Sequence, residues 1–272
     1  GGANYMPDRR VHIDTSMVAG VKPKESRTIL LPQIGRGILE AKEPPIKMAW
    51  IITANPVSTA PNSNLTSMAM KSLDFVIVSD NFMTSTAEHA DLFLPVTTYL
   101  ENTDITTSYW HNLIGFVNQV VPPQGESKSD MEIFTTLAKR MGLEDMPELS
   151  AKDWVKKLAH KLTKADPEFL AKEGTAKKSP LQKEIPFSKG KFLTNSGKFN
   201  FIQEFKHLEK VKDLNFPLNL IAPKTGKLIN LQALEKDVPD FPCLEMRKEK
   251  GAELNVKTNE LVRVVSKVGE IK

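Results

Sequence analysis

An acid at the end of a buried-looking strand needs a reason. Residues 75–78 read Phe-Val-Ile-Val, and Ser79-Asp80-Asn81 follow at once. A carboxylate placed there can accept hydrogen bonds from the N–H groups of a guanine edge or from ribose hydroxyls. A second polar stretch, Thr53-Ala54-Asn55-Pro56, leaves another apolar run at residues 47–52. The Asn55 amide and adjacent backbone N–H groups can take a phosphate. Each stretch also has a plainer use, since Asp80 can cap the following turn and Asn55-Pro56 can start one. As a pair, at one edge of adjacent strands, they favour nucleotide binding. Asp91, one residue before Leu92-Phe93-Leu94, caps or terminates that strand or pairs with His89. Glu101 and Asp104 bracket a further polar cluster ahead of His111.

Other chemistries lack their residues. The histidines have no metal-ligand spacing among themselves. No Gly-x-Ser-x-Gly, Walker loop or Gly-x-Gly-x-x-Gly is present. The single cysteine, Cys243, excludes an internal disulfide and any Cys-x-x-Cys cluster site made by this chain alone. It is expected to be a small buried apolar residue. Net charge is only +4 with scattered lysines, which argues against a nucleic-acid or anionic-membrane partner. No apolar stretch approaches the roughly 20 residues that span a bilayer, so no membrane insertion is expected. Arg9-Arg10 precedes no apolar segment and is not an export signal. The compartment, cytoplasmic or periplasmic, stays open. The start at Gly1-Gly2, without a methionine, reads as a mature fragment or a boundary.

The elements that would position these loops follow from the apolar pattern. Residues 1–45 read as extended loop. The run at 47–53 suits a strand buried on both faces, followed by a polar loop, a helix over 63–71 with Leu65, Met68 and Ala69 inward, and the strand at 75–78. Strand, loop, helix and strand in this length form a βαβ unit with parallel strands. Residues 92–95 add another strand. Ser129-Asp130-Met131-Glu132 opens a helix as a capping box. Its expected buried stripe is Ile133, Phe134, Leu137, Ala138 and Met141, and Gly142 closes it. A helix from Ser150 turns Trp154, Val155, Leu158 and Leu162 inward. The Lys-rich residues 172–191 read as linker, and residues 218–221 and 261–265 as short strands. The expectation is a Rossmann-like, mostly parallel α/β sheet with flanking helices, followed by a smaller all-β module. Its domains are 1–165, a linker at 166–213, and 214–272.

Taken in order, several motifs together resemble the molybdopterin oxidoreductases of the dimethyl sulfoxide reductase family. They are Pro44-Pro45, Ala54-Asn55-Pro56, Val78-Ser79-Asp80, Thr84, Thr86, His89-Ala90-Asp91, Leu94-Pro95, Glu101 and Asp104. The resemblance continues through Pro122 and residues 125–138, through Thr194-Asn195-Ser196-Gly197-Lys198, and into a truncated β-barrel from Pro217. It implies a molybdenum or tungsten ion held by two molybdopterin guanine dinucleotides. By resemblance Thr53, Asn55 and Pro56 meet a phosphate or pterin linker, and Ser79 and Asp80 read a guanosine. Thr84, Asp91 and Asp104 line that pocket. The family's metal ligand and iron–sulfur cysteines have no counterpart here, and Asn230-Leu231-Gln232 carries leucine where the family has serine. The resemblance thus implies the C-terminal portion of a larger catalytic subunit, inactive alone. The intact enzyme would act on a small substrate with an electron-transfer subunit and an iron–sulfur cluster in the missing region. Two alternatives stand beside it: a cofactor-free relative such as a respiratory NADH dehydrogenase large subunit, and a simple nucleotide-binding module.

Overall fold

The computed structural model describes residues 27–107, 113–143, 149–163, 172, 174–177, 187, 190–192, 194–201, 215–221, 243–267 and 269–271. The chain divides into two compact units. One comprises Thr28–Val78, Met83–Phe93 and Glu204–Lys272, and the other Gly1–Arg27, Ser79–Phe82 and Leu94–Gln203.

The first elements are helix α1 (Ile34–Glu40), preceded by a 3-10 turn at Leu31–Gln33, then strand β1 (Met48–Ile52), the short helix α2 (Pro56–Thr59), helix α3 (Ser63–Lys71), strand β2 (Phe75–Asp80) and strand β3 (Leu92–Pro95). The strands make one mixed-fold parallel sheet in the order β1-β2-β3. Val76 O accepts from Asp91 N at 2.9 Å, and Asp80 O accepts from Val96 N at 3.2 Å. Both contacts advance in the same direction along β2 and β3, which fixes those strands as parallel. Four consecutive residues of β2, Val76, Ile77, Val78 and Ser79, are 7% exposed or less, as expected of a central strand covered on both faces.

Within the first unit the core gathers Ile38, Ile51, Val57, Ala69, Met70, Val76, Val78 and Ala87. Burying Met70, 1% exposed, contributes about 1.5–3 kcal/mol. Helix α1 corrects the expectation of loop across residues 1–45. Its sequence Ile-Gly-Arg-Gly-Ile-Leu-Glu carries two glycines, which weaken the helical signal. Gly35 has a reason: a Cβ there would stand 3.0 Å from Thr66 N and 3.1 Å from Leu65 O, so α1 and α3 approach too closely for a side chain. On α3 the buried face is Thr66, Ala69 and Met70, while Met68, expected inward, is exposed.

In the other unit a hairpin was not legible: β4 (Asp104–Thr107) pairs antiparallel with β5 (Leu113–Val117). Helix α4 (Asp130–Arg140) starts with the expected capping box, Ser129 Oγ accepting from Glu132 N while Glu132 reaches back to Ser129 N. Its stripe is a correction. Only Ala138 is buried, Ile133 and Phe134 are half-buried, and Leu137 and Met141 are exposed. Gly142 closes the helix at φ +67° as expected. Helix α5 (Ala151–Thr163) buries Trp154, Val155, Leu158 and Ala159; the side chain of Leu162 lies outside the described residues. Strand β6 (Thr175–Lys177) pairs with β5, inside the stretch read as linker. The Thr194–Lys198 motif is a tight turn: Gly197 takes φ +67°, and Thr194 Oγ1 donates to Lys198 O at 2.8 Å.

Toward the C-terminus come helix α6 (Lys248–Glu253) and the hairpin of β7 (Val264–Ser266) with β8 (Gly269–Ile271). Residues 218–221 form no strand, and Leu220 and Ile221 are exposed. Cys243 is exposed too, contrary to the buried role expected of it. Arg9-Arg10, His111 and Asn230-Leu231-Gln232 lie outside the described residues.

Candidate functional site

The loop leaving β1 is built around one amide oxygen. Thr53, a β-branched residue at the strand's end, takes φ +48°, a left-handed conformation that costs energy for its type. Asn55 then precedes α2, whose Pro56 sits at the first helical position with its fixed φ and no N–H to satisfy. The side chain of Asn55 does not cap that helix. Its Oδ1 accepts instead from Thr86 Oγ1 at 2.6 Å, Ser85 Oγ at 3.1 Å and Thr86 N at 3.2 Å. Thr86 is fully buried, and its hydroxyl oxygen accepts in turn from Val57 N at 3.1 Å. Ser85 spends its one proton on Asn55, so Ser58 is the donor in their 2.6 Å contact.

His89 extends the network. One ring nitrogen, Nε2, lies 2.6 Å from Ser67 Oγ on α3, and the other, Nδ1, lies 3.0 Å from Ser85 O. A carbonyl can only accept, so Nδ1 carries the proton and, in the neutral ring, Nε2 accepts from Ser67. Thr84 Oγ1 accepts from Ala87 N at 3.2 Å and starts the 3-10 turn Ala87–His89. Asn55, Pro56 and Thr84 therefore belong to one hydrogen-bonded loop pair, with Thr53 at its root. Sequence reasoning named Thr86 only through resemblance and missed Ser58, Ser67 and Ser85. The signal was there in the polar run Thr84-Ser85-Thr86, which has no apolar period.

At the end of β2 Asp80 is half-buried, and its Oδ1 accepts from Asn81 N at 2.7 Å and Phe82 N at 3.2 Å. That is a side-chain turn holding the carboxylate in one orientation. Oδ2 has no hydrogen-bond partner among the described residues. Asn81 Nδ2 donates to Val96 O at 2.6 Å, tying the loop to the strand beside it. Ser79 is buried, 1% exposed.

The two remaining acids stand elsewhere. Asp91 accepts from Val76 N through Oδ2 at 2.7 Å, and its own N–H donates to Val76 O, so it anchors the amino ends of β2 and β3. Asp104 is exposed at the start of β4 and accepts from Ile105 N at 2.7 Å. Its neighbour in charge is Asp130, whose buried Oδ1 has no hydrogen-bond partner among the described residues. Burial first, then the Asp104 charge, raises the Asp130 pKa above its ordinary value. Glu101, 6% exposed, accepts from Thr98 N and Thr98 Oγ1 at 2.8 Å each and from Gln124 N at 2.8 Å. Those bonds, from the Thr98 backbone foremost, hold its carboxyl below the usual range. Among the described residues no cluster of three acids, histidines or cysteines could hold a metal ion.

Residues 32–140 match the molybdopterin oxidoreductase family model. The probable oxidoreductase YoaE of Bacillus subtilis (strain 168) is 37% identical over 205 residues, 72% of this chain and 29% of that protein. The F420-dependent formate dehydrogenase subunit alpha of Methanocaldococcus jannaschii is 26% identical over 250 residues, 83% of this chain and 36% of that protein. The chain thus spans about a third or less of the length of these relatives. Acetylene hydratase from Pelobacter acetylenicus superposes with a TM-score of 0.52 over 69% of this chain and 26% of that one; at 24% identity this likeness concerns the fold alone. The chain belongs to the molybdopterin oxidoreductases.

Proposed function

We propose that this chain supplies part of the cradle for a molybdopterin guanine dinucleotide in a molybdenum or tungsten oxidoreductase. The observation that carries the reading is Asp80. Its carboxylate ends a buried central strand, at the carboxyl edge where open parallel sheets bind ligands. One oxygen is fixed by its own turn and the other is left to accept. Guanine offers two adjacent N–H donors, which a carboxylate in fixed orientation suits. In the other unit, the Asn55 oxygen is saturated by three donors, so what it can offer outward is its Nδ2 N–H pair, matched to a phosphate. Thr53 and Pro56 set the backbone of that loop, Thr84 holds its partner, and Ser79 anchors the strand behind Asp80. Asp91 and Asp104 serve by fixing the strand starts they are bonded to. When bound, the group would supply the two-electron chemistry; the chain's share is binding and orientation. The domains would run 1–165 and 214–272 with a linker between, within a larger catalytic subunit that acts on a small molecule beside an electron-transfer subunit.

The test is a guanosine diphosphate titration of the full chain and of Asp80→Asn. Asparagine keeps an oxygen for the Asn81 and Phe82 N–H groups and turns an NH2 on the guanine donors. Losing a hydrogen bond to a charged group costs about 1.5–3 kcal/mol, so affinity should fall roughly 10–100-fold. Equal binding by both proteins refutes the site. Substrate-dependent turnover by the isolated chain would refute its dependence on a larger enzyme.

A further inference from the structure

Ser67 and His89 form a pair that the binding of a dinucleotide does not require. Ser67 Oγ lies 2.6 Å from His89 Nε2, and His89 Nδ1 lies 3.0 Å from Ser85 O. The carbonyl holds the ring proton on Nδ1, so in the neutral ring the Nε2 lone pair faces the serine hydroxyl. A hydroxyl inside a helix can instead turn back to a carbonyl of the preceding turn. Thr66, the neighbour of Ser67 on α3, does so and donates to Asn62 O at 3.2 Å, as Ser72 does to Ala69 O at 2.8 Å. Ser67 spends its proton on an imidazole. A hydroxyl, a base within about 2.6–3.2 Å of it, and a third group that orients the base together make an activated nucleophile.

The scaffold fixes this spacing from below. Helix α3 packs against the 3-10 turn Ala87–His89, with Ala69 and Met70 of the helix and Ala87 of the turn in one core. Ser67 and His89 themselves are half-buried, so a small molecule can reach them. We propose that Ser67 is a nucleophile activated by His89 and that the pair cleaves small aryl esters. Ser67 Oγ adds to the acyl carbon while its proton passes to His89 Nε2. The aryl oxygen leaves with the C–O electron pair and takes up that proton. Water then gives a proton to Nε2 as its oxygen attacks the acyl-serine ester, and Ser67 Oγ departs with that proton returned. A half-buried pair gains little binding energy from the rest of a substrate, so the leaving group must depart readily, as a phenol does. Lys71, one turn beyond Ser67 on the same face of α3, adds positive charge near the negative oxygen formed on addition. No electron is transferred, so this reaction stands apart from the two-electron chemistry proposed above. It shares with the loop pair around Asn55 only Ser85, through its carbonyl.

The probes are p-nitrophenyl acetate and an alkyl fluorophosphonate, each applied to the full chain. The ester should release nitrophenolate in a burst followed by slow turnover. The fluorophosphonate, which loses fluoride to the same attack, should leave a stable label. Mass spectrometry should place that label on Ser67, within the tryptic peptide 48–71. Ser67→Ala should abolish both burst and label with unchanged circular dichroism. His89→Gln should slow both by roughly 100-fold, the low end of what a positioned base contributes. A label found on other residues with Ser67 unmodified, or a burst from Ser67→Ala equal to the parent's, overturns the proposal. So does a folded His89→Gln that reacts as fast as the parent. If His89→Gln unfolds, Ser67→Ala decides alone, since alanine is the better helix former and keeps α3 intact.

Discussion

Replacing Asn55 by alanine removes one oxygen and strands three donors. Two of them, the N–H and O–H of Thr86, belong to a residue with no exposed surface, so water cannot take over. The third, Ser85 Oγ, is only half-buried, keeps Ser58 as a neighbour and should lose little. An orphaned buried donor costs about 1–3 kcal/mol, and the Thr86 hydroxyl can turn part-way to another acceptor. The sum is about 2–4 kcal/mol. At about 2–4 °C per kcal/mol for a unit of this size, the melting transition should fall by roughly 4–16 °C.

Asn55→Asp separates this structural role from the proposed binding role. Aspartate presents an oxygen to the same three donors, now with charge, so the loop pair should hold and the melt should stay near the parent's. The same change replaces an N–H pair by a carboxylate on the face offered to a phosphate, and guanosine diphosphate should then bind at least tenfold more weakly. The assay is thermal unfolding by circular dichroism paired with a nucleotide titration on each variant. An alanine variant that melts within about 2 °C of the parent would refute the hydrogen-bond reasoning. An aspartate variant that is stable and binds normally would refute the phosphate reading and leave the rest intact.

Two further outcomes follow from packing and charge. Glu101 has a folded-state pKa below its unfolded one, so it stabilises the protein above the ordinary glutamate range near about pH 4.3 and ceases to as pH falls through the lower folded value. Urea unfolding of the parent should therefore lose more stability on acidification than Glu101→Gln, whose amide also turns a donor toward Thr98 or Gln124; parallel curves for the two would sink the reasoning. Gly35→Ala should destabilise by about 1–3 kcal/mol, because the new methyl meets backbone atoms of α3 at 3.0–3.1 Å. Gly37→Ala meets only the Ile29 side chain, nearest at 2.5 Å, which must shift but is not backbone, so it should cost less than Gly35→Ala; denaturant midpoints of the pair check the contrast.

What could be read from the sequence was whatever depends on local apolar runs. The strands β1, β2 and β3 are such runs, and helices α4 and α5 announce themselves through Ser129 and Ser150. What stayed hidden depends on contacts between distant residues. Helix α1 carries glycines because α3 lies against it, and nothing within residues 34–40 states that. The β4–β5 hairpin pairs a polar strand, Asp-Ile-Thr-Thr, with Leu113–Val117, and neither shows a clear alternation. Leu137, Met141 and Met68 look buried by spacing yet stay exposed, since spacing selects a face without supplying the element that covers it.

The site residues divide along the same line. Asp80 and Asp91 look alike in sequence, each an acid beside an apolar strand, and composition cannot rank them. Chain direction can. Asp80 is the last residue of β2 and Asp91 precedes β3, and because those strands are parallel the two acids stand at opposite ends of them. Asp91 meets the first backbone groups of its neighbour, Val76 N and O, so its carboxylate is consumed in starting a ladder. Asp80 has no strand N–H left ahead of it, only a turn, and a turn uses one carboxylate oxygen. Capping and recognition are therefore compatible at position 80: the turn immobilises the group through Oδ1, and the immobilised Oδ2 is what a ligand can meet without the entropic cost of ordering it.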